Sequence, residues 1–192
     1  MANSVNDAIR RLDGIIGDLT QLPAKLELYA CQQALKIILR RVFVEGKAAD
    51  GSDIGQYDDK KKQTFLSKKA KPSLNKKQQA ALQKKEFLST NAKGNVTGIT
   101  YKELRELRGL RVDKVDLQFS GTLFESIELV KQNGRETVAI TNLERSKIAT
   151  YLEKKYKKPI FTLGKDEKVV LMQKVSIFAK VQIDKIIQKW SK

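Results

Sequence analysis

Apolar residues recur at helical spacing near the start of the chain. The recurring positions are Val5, Ile9, Leu12, Ile16 and Leu19. Spacings of three and four residues put these side chains on one face and predict an amphipathic helix, with Ser4 or Asn6 as its cap. Pro23 suits the first turn of a second helix that runs to about Glu45. Because this second helix is apolar over much of its circumference, we expect it to pack on more than one side, against its own core or a neighbouring subunit.

A second long helical pattern occupies the end of the chain. It follows Gly164, and Asp166 and Glu167 are well placed for the dipole at its N-terminus. Its apolar positions are Val169, Val170, Met172, Val175, Phe178, Ile183, Ile186, Ile187 and Trp190. Phe178 and Trp190 are typical of core or subunit-contact positions. The pattern predicts a terminal helix with more apolar surface than one neighbour covers.

The pattern between these helical ends changes twice. A charged helical segment comes first and is expected to stop near Gly109. Its apolar positions are Leu104, Leu107 and Leu110. A strict alternation follows, with Val115, Leu117 and Phe119 on one face and Asp116, Gln118 and Ser120 on the other. This alternation predicts a half-buried strand whose apolar face is turned toward the helices. Thr122 and Glu125 have the spacing of a capping box, which predicts a short helix that reaches Ile127.

A hairpin signal comes next. Alternating residues lead to Asn133 and Gly134, and residues 137–141 are expected to return as the partner strand. Asn142 then caps a helix that should end before Pro159. Together these patterns predict an α+β fold, in which a small antiparallel sheet of about three strands packs against the N-terminal helices and the long C-terminal helix.

The chain has 192 residues and is expected to form a single domain over residues 1–192. A long glycine- and lysine-rich loop or arm is predicted at residues 46–98, between the N-terminal helices and the sheet. Ten lysines and no acidic residue lie between Lys60 and Lys85. They are candidate contacts for a partner or for nucleic acid: Lys60, Lys61, Lys62, Lys68, Lys69, Lys71, Lys76, Lys77, Lys84 and Lys85. Two interpretations of this arm stay open, a solvated mobile segment or a charged finger that contacts nucleic acid or an acidic neighbour.

The charge balance bears on the partner. The net charge is +16, from 38 basic and 22 acidic residues with no histidine. A surface this positive favours a polyanion or an acidic protein face. Lysine supplies 29 of the positive charges, however, and a lysine bias also arises from gene composition. Because the basic run offers only Phe65 and, just beyond it, Phe87 as aromatic residues, any nucleic-acid binding is expected to use phosphates, without sequence preference.

The sequence offers little for catalysis. The absence of histidine removes the commonest general base and metal ligand, and a single cysteine leaves no usual zinc site or Cys-His pair. No glycine pattern matches a P-loop or a dinucleotide fingerprint. We therefore expect no enzyme activity, no cofactor and no metal.

Carboxylates are the remaining candidates for chemistry. They cluster at Asp50, Asp53, Asp58 and Asp59, and again at Asp113 and Asp116. The first cluster lacks the EF-hand register, so a solvated loop is favoured over a cation site. The second would need further carboxylates to act as a magnesium-dependent nuclease. Glu153 is expected to join a surface salt-bridge pattern, with Tyr151 and Leu152 as the buried face of its helix.

The compartment follows from cysteine usage and the N-terminal residues. Cys31 is the single cysteine, so no intramolecular disulfide forms, which favours a reducing compartment. It is expected to be a small buried hydrophobe. The N-terminus lacks the apolar run of a signal peptide, and no stretch approaches a membrane span. We expect a soluble protein made in a cytoplasm, with no membrane partner.

Three segments, in this order, resemble a known family. They are DGSDIGQY at Asp50–Tyr57, VDLQFSGTLFESI at Val115–Ile127 and KKPIFTLGKDEK at Lys157–Lys168. This arrangement is similar to that of the bacteriophage virion-morphogenesis, or tail-completion, proteins. The resemblance implies a structural virion protein without an active site, which forms a ring in the neck or tail, as a connector, tail-completion protein or tail terminator.

The expected function follows from this resemblance. The protein is expected to form a homo-oligomeric ring between portal and tail, in contact with other virion proteins. It would be found in the virion, after assembly in the host cytoplasm. The alternative is a nonspecific nucleic-acid-binding protein that acts through the lysine-rich arm. The two are compatible, since a ring through which a genome passes benefits from positive charge on that path.

Overall fold

The computed structural model describes residues 5–57, 89–90, 96–97, 100–107, 109–118 and 121–191. Its helices are α1 (Val5–Leu39), α2 (Tyr101–Leu107), α3 (Thr122–Glu125), α4 (Leu143–Tyr156) and α5 (Lys165–Trp190). A π-helical turn (Arg40–Glu45) follows α1 directly. The strands are β1 (Ser89–Thr90), β2 (Val96–Thr97), β3 (Ile127–Gln132) and β4 (Arg135–Ile140). The predicted α+β class, with an N-terminal helix and a long C-terminal helix, is therefore confirmed.

The N-terminal helix is continuous, so the prediction of two helices divided at Pro23 is wrong. Pro23 lies inside α1 and is exposed, so its ring faces solvent. An interior proline costs about 3 kcal/mol. Here α1 packs along α5, and contacts with α5 on both sides of Pro23 favour a continuous helix over a break.

The helices α1 and α5 form an antiparallel pair, which we call the helix pair. At one end the Trp190 indole Nε1 donates to Asp18 Oδ2 at 2.8 Å. Its ring lies against Gly14, where a Cβ atom would approach it to 2.1 Å. Midway along the pair, the rings of Tyr29 and Phe178 stack with centroids 4.1 Å apart. Gly14 therefore makes room for Trp190, a role that helical periodicity did not indicate.

The sheet that packs on α1 is a two-stranded hairpin. Strands β3 and β4 pair antiparallel, from Ile127 opposite Ile140 to Gln132 opposite Arg135, around the predicted Asn133-Gly134 turn. Helix α1 contacts both strands as well as α5, which confirms that it packs on more than one side. The Cys31 thiol is half-buried there and donates to a backbone carbonyl of β4, and burial raises its pKa.

The predicted central strand does not form, so the hairpin has two strands and not three. Val115 is fully buried as expected, but Asp116 is buried as well, with 4% of its surface exposed. Leu117 has a φ of 54°, which no extended strand allows. A buried ion pair turns Asp116 inward and so breaks the alternation. Phe119 and Ser120 lie outside the described residues. The described segments add a second short ladder, β1 with β2.

The short helices partly follow their predicted signals. Helix α2 ends just before Gly109, whose φ of 68° provides the expected stop. The side chains of Leu104 and Leu107 lie outside the described residues. The predicted capping box at Thr122 is wrong, because α3 is N-capped by Gly121 and ends before Ile127, which begins β3. Asn142 caps α4 as predicted, where its side chain accepts from Arg145 N at 3.2 Å.

The core lies where the π-helical turn, the hairpin and α4 meet. Its buried members are Ile38, Val42, Phe43, Ala48, Ile54, Tyr57, Val115, Leu123, Ile127, Ala149 and Ile160. The loop at residues 46–57, which the sequence indicated to have few apolar anchors, supplies three of them. This loop is therefore part of the core and not a surface excursion.

Candidate functional site

The three segments that carry the family resemblance meet at one junction. The loop at residues 46–57 lies between the other two. On one side Tyr57 Oη donates to Asp116 Oδ1 at 3.0 Å. On the other side Ala49 N donates to Pro159 O at 2.9 Å, and the Lys158 ammonium donates to a loop carbonyl. Contacts between residues 59 and 105 positions apart in the chain thus join the three segments into a single structural unit, which we call the junction.

A buried arginine lies at the centre of one half of the junction. Arg105 is fully buried, and its Nη2 lies 2.7 Å from Asp116 Oδ1. Its other nitrogens donate to the carbonyls of Arg111 and Gln118 at 2.8 and 2.7 Å. The guanidinium also lies 4.3 Å from the centroid of the Tyr57 ring, and burial raises the pKa of that phenol. Because these groups satisfy one another, they fix the loop rather than offer a reactive side chain.

A second buried arginine holds the other half. Arg41 Nε lies 2.7 Å from Glu167 Oε1, in the first turn of α5. Its Nη2 donates to the carbonyls of Ile160 and Thr162 at 3.0 and 2.6 Å. The other oxygen of Glu167 accepts from Gly164 N at 2.8 Å. Arg41 therefore ties the end of the N-terminal helical segment to the start of α5.

An open groove of about 700 Å³ runs over this second arginine. Its lining includes Lys47, Lys165 and Lys168 and the carboxylates Asp50 and Asp166. Asp50 accepts from the backbone and hydroxyl of Ser52, which lowers its pKa. Because both signs of charge are interspersed, the groove has no single electrostatic preference.

Among the described residues, the candidate carboxylates Asp53, Asp113 and Asp116 each pair with a different basic side chain. Asp53 pairs with Lys47 at 3.3 Å, and Asp58 and Asp59 lie outside the described residues. Asp113 pairs with Arg111 on the surface, which lowers the pKa of that aspartate, while Asp116 is buried against Arg105. Over the described part of the chain, no group of three histidine, cysteine, aspartate or glutamate side chains is placed to hold a metal ion.

Glu153 has a different role from the one predicted. It is half-buried, and its Oε1 accepts from Ile160 N and Phe161 N at 2.8 and 3.1 Å. It thus closes the turn after α4 instead of joining a surface salt-bridge pattern. Leu152 packs against the core as expected, but Tyr151 is 62% exposed, so its predicted burial is wrong.

The main exposed feature of the described residues is the apolar surface of the helix pair. None of the 26 residues of α5 is buried. Met172 and Ile177 are 73% and 64% exposed, and Leu12 and Ile16 of α1 are each 58% exposed. The helix pair therefore presents apolar side chains to solvent along both of its helices. The ten candidate lysines between Lys60 and Lys85 all lie outside the described residues.

Comparison with protein-family models, with curated proteins and with solved structures finds no match to this chain. Among the helices described, none is long and apolar enough to cross a membrane.

Proposed function

We propose that the protein is a structural subunit of a tailed-bacteriophage virion, which assembles into an oligomeric ring in the neck or tail between portal and tail. The observation that carries the proposal is the exposed apolar surface of the helix pair, with Met172 and Ile177 as its most exposed members on α5. Exposed apolar side chains in rows along both helices mark an interaction site. The protein acts in the virion as a non-catalytic part without a cofactor, in contact with its own copies and with portal, neck or tail proteins.

The junction supports the same proposal. The three resembling segments form one unit in which two buried arginines hold the loop at residues 46–57. Buried arginines that are ion-paired and donate to several backbone carbonyls suit a rigid element that presents the helix pair in a fixed orientation. A ring subunit needs such rigidity, because a closed ring requires the same rotation between every pair of neighbours.

Self-association is the first expected result. Purified protein should shift from monomer to one closed oligomer as its concentration rises, measured by mass photometry and analytical ultracentrifugation, with rings visible by negative-stain electron microscopy. Rings labelled through an affinity tag on the protein should also lie at the neck or tail of assembled particles. A strictly monomeric protein at high concentration, together with particles that lack ring density, would contradict the proposal.

Nucleic-acid binding is a second candidate, which the net charge of +16 favours. Affinity for random-sequence duplex DNA should fall steeply as salt rises, because Lys-phosphate contacts release counterions. Replacement of the ten lysines between Lys60 and Lys85 by glutamine should flatten that dependence in a fluorescence-anisotropy titration. A matched variant that replaces ten lysines elsewhere is the control: the three of α4, the six of α5 and Lys157 directly after α4. Affinity that does not change with salt or with the arm lysines argues against this function.

A further inference from the structure

Helix α5 carries two separate rows of exposed apolar side chains. One row consists of Val169, Met172, Ile183 and Ile187, and the other of Val170, Ile177 and Val181. At 3.6 residues per turn, the two rows lie on opposite sides of the face that packs against α1. The outermost strip between them is polar and consists of Asp166, Gln173, Lys180 and Asp184. The two rows are therefore distinct surfaces rather than one broad patch.

Helix α1 extends both surfaces. Its exposed residues Ile9, Leu12, Ile16 and Leu19 are spaced by three, four and three, as in a seam that packs against other helices. Because α1 and α5 are antiparallel right-handed helices, this seam lies on the same side of the pair as Met172. We call that side the first face. Leu28 lies on the side of Ile177, which we call the second face.

The first face is large enough for a stable contact. Its eight apolar residues are between 39% and 73% exposed. They expose on the order of 800 Å², which is one side of a standard protein–protein interface.

The position of the two faces identifies the occupant. The two apolar faces differ from each other and lie on opposite sides of one two-helix layer. This arrangement suits contacts in which the first face of one copy covers the second face of the next. Such head-to-tail contacts close into rings when the rotation allows. A two-fold contact between two first faces would leave every second face exposed. A lipid surface would cover one side alone.

We propose that the partner of the helix pair is a second copy of this chain on each side, with the first face of one copy packed on the second face of its neighbour. This rests on the proposed ring function and specifies its interface. Met172 and Ile177 lie on the two halves of the same contact.

Two charge variants test the proposal. Met172→Glu removes the first face and Ile177→Glu the second, so each alone should weaken self-association at least tenfold and form no rings. Mixed together, they retain one compatible pair of faces and should form dimers that grow no further, measured by mass photometry. Leu143→Glu is the control, since Leu143 is 72% exposed on α4, away from both faces, and this variant should form rings normally. Circular dichroism melting of each variant checks that the fold is unchanged.

Cysteine cross-linking tests the geometry independently. In a Cys31→Ser background, Met172→Cys and Ile177→Cys proteins should form intermolecular disulfides with each other in a mixture and not each with itself. Self-linked Met172→Cys would overturn the head-to-tail contact. Normal rings from both charge variants would also overturn it while the proposed ring function stands. Wild-type protein that stays monomeric and binds phosphatidylglycerol vesicles, together with particles that lack ring density, would overturn both.

Discussion

Replacement of Arg105 by methionine should lower the free energy of unfolding by about 3–5 kcal/mol, because it leaves a buried carboxylate without its counterion. Arg105 has no exposed surface and the Asp116 side chain is 6% exposed, so water cannot solvate the charge that remains. The carbonyls of Arg111 and Gln118 lose their donors as well. Urea denaturation followed by circular dichroism measures the change.

A matched surface variant shows how much stability is lost when an exposed arginine is replaced, without leaving a buried carboxylate unpaired. Arg40 pairs with Glu45 at 2.8 Å, but its side chain is 77% exposed. Arg40→Met should therefore cost less than about 1 kcal/mol. The double variant Arg105→Met with Asp116→Leu should recover part of the lost stability, since it removes the unpaired charge. Equal losses from Arg40→Met and Arg105→Met would show that the junction does not depend on its buried ion pair.

Sequence patterns predicted the elements whose signals are local. The Asn133-Gly134 turn, the Asn142 cap and the start of α5 after Gly164 all form as expected. Each depends on backbone geometry or a hydrogen bond within about four residues, which neighbouring residues alone determine. The apolar surplus of the terminal helix was also visible, because helical periodicity reports every apolar side chain whether or not the chain itself covers it.

Elements decided by distant partners could not be predicted. The alternating pattern predicted that Asp116 faces solvent on a strand. The Arg105 guanidinium, 11 residues earlier in the chain, instead pairs with the Asp116 carboxylate in the interior. Pro23 suggested a break that packing against α5 overrides. The loop at residues 46–57 showed few apolar residues, and nothing local indicated that Ile54 and Tyr57 enter the core. In each case tertiary contacts outweighed a local preference of about 3 kcal/mol or less.

The junction likewise combines a feature that the sequence predicted with one that it did not. The resemblance depended on three separate segments, and their order was readable from the sequence. Their contact was not, because Arg41 and Arg105, which hold them together, lie outside all three. A buried arginine in an amphipathic pattern is indistinguishable from a surface arginine until its carboxylate partner is known. One signal was available in the sequence. Arg41 lies in the apolar stretch that continues from the second half of α1 into the π-helical turn.

Substitution of Gly164 by alanine should lower the free energy of unfolding by about 3 kcal/mol, because no space exists for a methyl group there. A Cβ at this position would lie 1.9 Å from Ala49 O and 3.0 Å from its carbonyl carbon. These are backbone atoms of the loop that the core depends on, so either the loop or the start of α5 must move. Movement there would also strain the contact between Arg41 and Glu167.

Gly17 provides the matched control for this prediction. It lies inside α1, where a Cβ would meet no atom within 4 Å. Gly17→Ala should therefore raise the free energy of unfolding by about 0.5–1 kcal/mol, since alanine loses less conformational entropy in a helix. Thermal and urea unfolding of the two variants should shift in opposite directions. A shift in the same direction for both would mean that the close approach of Gly164 to the loop at residues 46–57 does not hold the junction together.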